Sequence, residues 1–67
     1  MKIRYDSQSD VMIFVLSDKP PVDSLEEPGG VIISYGEDRE PVSVEFLQAS
    51  RRELLDIQQT SIPLSVV

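Results

Sequence analysis

The sequence predicts an α+β fold: a small antiparallel or mixed sheet of about four strands, with one C-terminal helix packed on one face. Two observations predict this class. Short segments before residue 48 alternate apolar and polar residues, which is the period of a strand. After residue 50 the spacing changes to that of a helix, and Ser50 to Glu53 match the Ser-x-x-Glu pattern of a helix N-terminal capping box.

Four segments are predicted as strands: residues 2–5, 11–16, 31–35 and 42–47. The last two are close enough in sequence to form an antiparallel hairpin. Residues 17–30 are predicted as a loop because three of them are prolines, which donate no N–H to a sheet. Within it, Pro28 and Gly29 suit the central positions of a type II turn, since glycine accepts a positive φ.

The second predicted strand is apolar on both faces. Met12, Phe14 and Leu16 alternate with Val11, Ile13 and Val15. A strand of this kind is covered on both sides in a folded protein. The predicted helix covers one side, so either the rest of the fold or another chain has to cover the other.

The helix is predicted over residues 51–59, with Ser50 as its N-cap and an apolar stripe at Leu54, Leu55 and Ile57. Arg51 and Arg52 are expected in its first turn as an exposed pair. All 67 residues form one small domain, and residues 58–67 are either a docking or a flexible tail. Pro63 interrupts any helix in this tail, which is apolar at Ile62, Leu64, Val66 and Val67.

Composition restricts the function. A domain of 67 residues buries little surface, and the chain has no cysteine and no histidine to supply a disulfide or an ordinary zinc site. Small domains commonly gain stability by association with another chain, so a homodimer or a form bound to another protein is expected. The lack of cysteine fits a reducing cytosol, and no apolar run is long enough to span a membrane. We therefore expect a soluble, cytoplasmic protein without a membrane partner.

The net charge is −6, and residues 18–40 hold seven acidic residues against two basic ones. Nucleic-acid binding needs basic side chains that displace counterions from phosphates, so no nucleic-acid partner is expected. The acidic segment is either a solvated face or a docking surface for a basic protein partner.

The sequence predicts no catalytic residue, no metal site and no cofactor, and hence no enzyme. Serine nucleophiles need a nearby base, and only two lysines are available for that role. The stretch Asp6 to Asp10 begins like a calcium loop, but Val11 stands at the glycine position and Ser17 at the bidentate glutamate position. A minor metal-binding or enzyme component is the weakest alternative.

A set of motifs in order resembles the bacterial and archaeal family known as domain of unknown function 2283. The motifs are a Tyr-Asp turn at residues 5–6, an Asp before an alternating strand that ends in Leu-Ser, a Gly-Val-Ile segment at 30–32, and Glu-x-Leu-x-Ala-Ser at 45–50. The resemblance implies a small sheet with a C-terminal helix and no established activity. Because some members lie beside toxin-like genes, it also implies an antitoxin-like inhibitor as an alternative function.

Two departures from the family pattern matter. Its hairpin tip commonly carries Asp-Gly, where this chain has Asp38 and Arg39, and the outer face of its second strand is usually polar or small. The leading hypothesis is therefore a non-enzymatic protein-interaction module that forms a homo-oligomer. The candidate interaction surface consists of Val11, Ile13, Val15, Ile62, Leu64 and Val66.

Overall fold

The computed structural model describes residues 1–52 and 64–66 of the chain. These residues form one sheet whose strands are β1 (Lys2–Asp6), β2 (Val11–Val15), β3 (Asp23–Glu27), β4 (Val31–Tyr35), β5 (Pro41–Leu47) and β6 (Leu64–Val66). The strand order is β3-β4-β5-β2-β1-β6. A single 3₁₀ turn, Ala49–Arg51, follows β5.

Two antiparallel units make up most of the sheet. β1 and β2 form one hairpin, and β3, β4 and β5 form a meander. The two units join where β5 pairs antiparallel with β2, and β6 then adds to the outer edge of β1 in parallel. β2 therefore lies in the interior of the sheet, with a hydrogen-bonded strand on either side.

The four predicted strands are confirmed, with ends that differ by at most one residue. They correspond to β1, β2, β4 and β5. The predicted antiparallel hairpin is also confirmed: β4 pairs with β5, with one register shift between Ser34 and Tyr35.

The predicted fold class is wrong, because the described part of the chain is nearly all sheet and holds no α-helix. Where the helix was expected to begin, the chain makes only the 3₁₀ turn, and Arg52 is extended at φ −112° and ψ 146°. Ser50 does not cap a helix, because its backbone N–H and its hydroxyl both bind Asp10 instead. Residues 53–59 of the predicted helix lie outside the described residues.

The prediction of a continuous loop over residues 17–30 is wrong as well, because it contains β3. All five residues of β3 are exposed, and the strand forms one edge of the sheet. Asp, Ser and Glu are uncommon in strands, so the residue types of β3 did not predict a strand. Its pairing with β4 is instead set by the three-residue turn at Pro28 to Gly30, where Gly29 has a φ of 89°, as the second central position of a type II turn requires.

The small core lies on one face of the β1–β2 hairpin. Ile3, Met12 and Ala49 are buried there, and Tyr5 and Phe14 pack against them. Phe14 also meets the ring of Phe46 on β5 edge to face, with centroids 5.5 Å apart. Ala49 thus ties the turn after β5 to the hairpin at the other end of the sequence.

In residues 1–52 and 64–66, no helix has the length and hydrophobicity needed to cross a membrane.

Candidate interaction surface

Alternation along β2 divides the sheet into two faces. The Met12 face carries the core and includes Ile3, Tyr5, Met12, Phe14, Val44 and Phe46. The Ile13 face includes Lys2, Arg4, Asp6, Val11, Ile13, Val15, Ser43, Glu45 and Leu47. Residues directly opposite each other on neighbouring strands have their side chains on the same face of the sheet. The strand register is therefore enough to assign each residue to a face.

The structure brings together three of the six predicted surface residues. Val11, Ile13 and Val15 lie in one line on the Ile13 face, and each is partly exposed. Leu64 and Val66 belong to β6, where they are opposite Ile3 and Tyr5 of β1, so a full strand separates them from β2. Ile62 lies outside the described residues.

Cross-strand neighbours place charges on both sides of Ile13. Its partner on β1 is Arg4, and its partner on β5 is Glu45. These two residues are two strand spacings apart, about 10 Å, with Ile13 between them. Among the described residues, neither Arg4 nor Glu45 takes part in an ion pair.

After β5 the chain passes to the Met12 face. Ala49 is buried against Ile3 and Met12, and the Arg52 guanidinium carbon lies 5.8 Å from the ring centre of Phe46. The last described residues before position 53 therefore cover part of the Met12 face. Further along this face, a shallow groove of about 250 Å³ is lined by Met1, Phe14, Leu16, Val44 and Phe46.

Arg52 is not the exposed residue that was expected in a helical first turn. Its Nε donates to the carbonyl of Leu47 at 2.7 Å, and its Nη2 donates to the carbonyls of Gly29 and Gly30. The guanidinium thus joins the end of β5 to the β3–β4 turn. Sequence spacing gave no indication of this contact, since its partners are backbone oxygens up to 23 residues away.

A second polar cluster centres on the Asp10 carboxylate, which accepts three hydrogen bonds. The Tyr5 hydroxyl donates at 2.7 Å, the Ser50 hydroxyl at 2.6 Å and the Ser50 backbone N–H at 2.9 Å. The Ala49 N–H also donates to the Asp10 carbonyl at 2.9 Å. These bonds fasten the turn after β5 to the turn between β1 and β2.

The electrostatics of this cluster indicate a structural role. The hydrogen bond from the Ser50 hydroxyl, together with that from Tyr5, lowers the pKa of Asp10, because both stabilise the carboxylate. The bond to Asp10 raises the pKa of Tyr5, since ionisation would lose the donated proton. A carboxylate with a lowered pKa is a weaker base, so Asp10 is poorly suited to activate Ser50 as a nucleophile. The contact joins residues 40 positions apart, and the only sequence signal for it was that all three residues belong to the family motifs.

The acidic residues gather at the opposite end of the sheet from β1. Asp23, Glu26 and Glu27 lie on the exposed edge strand β3, and Glu37, Asp38 and Glu40 lie in the exposed β4–β5 turn. Lys19 forms an ion pair with Asp38, and its ammonium group lowers the pKa of that carboxyl. A cavity of about 340 Å³ beside β3 is lined by Val22, Asp23, Leu25, Tyr35, Gly36, Glu37 and Arg39.

Within the part of the chain that the structure describes, no three acidic, histidine or cysteine side chains come together as a metal-binding group.

Comparison with known proteins identifies the family. A family model described as "Protein of unknown function (DUF2283)" matches residues 2–50, which is most of the chain. The chain belongs to this family. The match confirms the resemblance read from the motifs, and it spans β1 to β5 together with the Asp10–Ser50 contact. No curated protein and no solved structure matches the chain.

Proposed function

We propose that this DUF2283 protein is a non-enzymatic protein-interaction module that acts as a homodimer in the cytoplasm. The observation that carries the proposal is the line of Val11, Ile13 and Val15 on an interior strand, on the face opposite the core. Cysteine-free composition suits the reducing compartment in which we place it.

The physical argument concerns β2, which has apolar side chains on both faces. Strands of this type are normally covered on both sides, because removing an aliphatic side chain from water stabilises the folded protein. Sheets achieve this cover by packing face to face. A second copy of the chain would supply such a layer for the Ile13 face.

Edge-to-edge pairing of two copies through β3 is disfavoured by charge. Asp23, Glu26 and Glu27 would place like charges beside one another in a continuous sheet. Charged residues on an exposed edge strand are a usual means of preventing such pairing. The Ile13 face is thus the better surface for self-association.

Substitution of Ile13 by Lys tests the proposal. The lysine would place an unpaired charge at the centre of the interface, so we expect the dimer dissociation constant to rise by on the order of a hundredfold or more. Sedimentation equilibrium measures this change. Leu25→Lys is the matched control, because it adds the same charge at an exposed position of β3 on the Met12 face and should leave the dimer intact.

Two results would contradict the proposal. One is a wild-type protein that stays at its monomer mass of 7.5 kDa at high micromolar concentration. The other is a folded Ile13→Lys variant that dimerises as tightly as the wild type. Urea unfolding of both variants shows whether each is folded under the conditions of the mass measurement.

The acidic end of the sheet supports a second candidate, an antitoxin-like inhibitor of a neighbouring toxin-like protein. Six exposed carboxylates on β3 and the β4–β5 turn form a surface that complements a basic partner. This function predicts tight binding to the product of the adjacent gene, with an affinity that falls as salt is added. Titration calorimetry at low ionic strength that detects no binding would remove this candidate.

A further inference from the structure

We infer that two copies of the chain pack their Ile13 faces about a two-fold axis that runs along β2, so that Arg4 of each copy meets Glu45 of the partner subunit. The inference rests on the proposed homodimer and specifies its geometry. It follows from the order of side chains in one row across the sheet.

The row through Ile13 consists of Arg4 on β1, Ile13 on β2 and Glu45 on β5. A positive charge lies one strand to one side of Ile13, and a negative charge lies one strand to the other side. A two-fold interface is made of the same patch twice, so a residue that contacts a second residue is contacted by it in return. This row can therefore complement itself.

Rotation by 180° about an axis along β2 places β1 of each copy opposite β5 of the partner subunit. Ile13 then faces Ile13 of the partner subunit, while Arg4 faces the partner's Glu45 and Glu45 faces the partner's Arg4. One interface gains two opposite-charge pairs around an aliphatic centre. Facing sheets are about 10 Å apart, a gap that one arginine and one glutamate side chain can bridge together.

The other in-plane axis, perpendicular to the strands, gives a different outcome. It keeps each strand opposite its own copy, so that Arg4 would face the partner's Arg4 and Glu45 the partner's Glu45. Lys2 would then face the partner's Asp6, because Lys2 and Asp6 lie equally far from Arg4 along β1. Like charges held opposite each other in an interface are unfavourable. The perpendicular axis therefore combines two attractive contacts with two like-charge contacts, and the Asp6 carboxylate already accepts hydrogen bonds from the N–H groups of Gln8 and Ser9. Both axes give the aligned packing that sheet sandwiches commonly adopt. Charge complementarity favours the axis along β2, because it brings together no like charges.

The adjacent row provides an internal control. Lys2 lies on the same strand and face as Arg4, but its row continues with Val15 and Ser43. The proposed axis places Lys2 over the partner's Ser43, which carries no charge. Lys2→Glu and Arg4→Glu therefore change the net charge equally, and only Arg4→Glu replaces an attractive pair with a repulsive one.

The test measures dimer dissociation constants by sedimentation equilibrium for Arg4→Glu, Glu45→Arg, the double variant and Lys2→Glu. We expect each of the first two to weaken the dimer by on the order of tenfold to a hundredfold. The double variant should recover most of the wild-type affinity, because the pairs are restored with their signs exchanged. Lys2→Glu should weaken the dimer far less than Arg4→Glu, and added salt should reduce the difference between them.

The outcomes separate this inference from the proposed function. If the dimer depends on Ile13 but the double variant is no tighter than the single variants, the homodimer stands and the assigned axis is overturned. If Arg4→Glu and Lys2→Glu weaken the dimer equally, the pairing is also overturned. If the wild-type protein is monomeric, the proposed function itself fails. Urea unfolding of each variant confirms that the folded protein is being compared.

Discussion

At the scale of single residues, Asp10 links two parts of the fold that are 40 residues apart in sequence, the β1–β2 hairpin and the turn after β5. Its carboxylate accepts hydrogen bonds from Tyr5 and Ser50, and its own φ of 56° lies in the left-handed region. Asp and Asn tolerate this backbone conformation better than most residues. The same position thus serves both the β1–β2 turn and the contact with the turn after β5.

The lowered pKa of Asp10 predicts a pH dependence of stability. A carboxylate that is stabilised in the folded state contributes to stability above its ordinary pKa of 3.8, and this contribution is lost as the pH falls through the lower pKa of the folded state. Asp10→Asn keeps the shape and the turn but removes the charge. We expect the wild type to be the more stable at pH 7, with the difference in free energy of unfolding shrinking between pH 5 and pH 2.

Urea unfolding across this pH range measures the difference. Ser50→Ala is the companion variant, since loss of its hydroxyl removes the largest cause of the lowered pKa and should reduce the pH dependence in part. A constant difference between the wild type and Asp10→Asn from pH 7 to pH 2 would show that the Asp10 charge does not stabilise the fold.

Substitutions at Gly30 and Gly29 test the contact that Arg52 makes with the β3–β4 turn. Both have a positive φ, of 77° and 89° respectively. A Cβ at Gly30 would lie 3.0 Å from Arg52 Nη2 and 3.4 Å from Leu47 Cβ, whereas a Cβ at Gly29 would meet nothing within 4 Å. Gly29→Ala therefore carries only the cost of backbone strain, about 1 kcal/mol.

We expect Gly30→Ala to reduce the free energy of unfolding by about 1 kcal/mol more than Gly29→Ala, because the end of the Arg52 side chain has to move away from the new methyl group. Chemical denaturation measures both variants, and Arg52→Ala in each background tests the cause. The extra cost at Gly30 should decrease when Arg52 is truncated. Equal costs at the two glycines would mean that Arg52 does not pack tightly against this turn.

At the scale of elements, the β4–β5 turn shows how a departure from the family pattern is accommodated. The Gly36 N–H donates to the Glu40 carbonyl, and the Arg39 N–H donates to the Gly36 carbonyl. This is the pattern of a three-residue hairpin loop, whose last residue is left-handed and favours glycine. Arg39 occupies that position with a φ of 64°.

Arg39→Gly should therefore stabilise the protein. Removing the strain of a left-handed arginine stabilises the folded state by about 1 kcal/mol. Glycine has more freedom in the unfolded chain, which offsets part of this, so the free energy of unfolding should rise by about 0.5 kcal/mol. Thermal unfolding checks the sign of this change. Glu37→Gly is the control, because Glu37 does not have a positive φ and should gain nothing. Destabilisation by Arg39→Gly would show that the arginine side chain contributes more than its backbone costs.

The elements that the sequence predicted correctly are those with a local cause. Alternation of apolar residues is a local signal, and it located β1, β2, β4 and β5. β3 was missed because its residues, Asp23–Glu27, resemble a loop in composition and become a strand only by pairing with β4. The prediction that Ser50 caps a helix was wrong, because the backbone N–H and the hydroxyl of Ser50 bind Asp10, which is 40 residues away.

At the scale of the whole molecule, the sheet has two faces with different surroundings. Ala49 and Arg52 both contact the Met12 face, so the chain turns toward the core side after β5. The Ile13 face carries a line of aliphatic residues on β2, and the central one, Ile13, lies between Arg4 and Glu45. The sequence identified this line through the two-sided hydrophobicity of β2, but the charged neighbours of Ile13 could be found only from the register across three strands.

The most direct test of the central claim uses the absence of cysteine from the chain. On the proposed two-fold axis, Ile13 faces Ile13 of the partner subunit, so Ile13→Cys would place two thiols on either side of the axis. The facing sheets are about 10 Å apart, which is too far for a direct disulfide but within the reach of a short bifunctional thiol reagent. Ile33→Cys is the control, because Ile33 lies on β4 opposite Val44 of the Met12 face.

The measurement is the rate of cross-linking by a short bifunctional thiol reagent at a concentration where the wild type is dimeric. The account predicts that Ile13→Cys becomes a covalent dimer, with twice the monomer mass of 7.5 kDa, much faster than Ile33→Cys. Cross-linking of Ile13→Cys that is no faster than that of Ile33→Cys would contradict a dimer built on the Ile13 face.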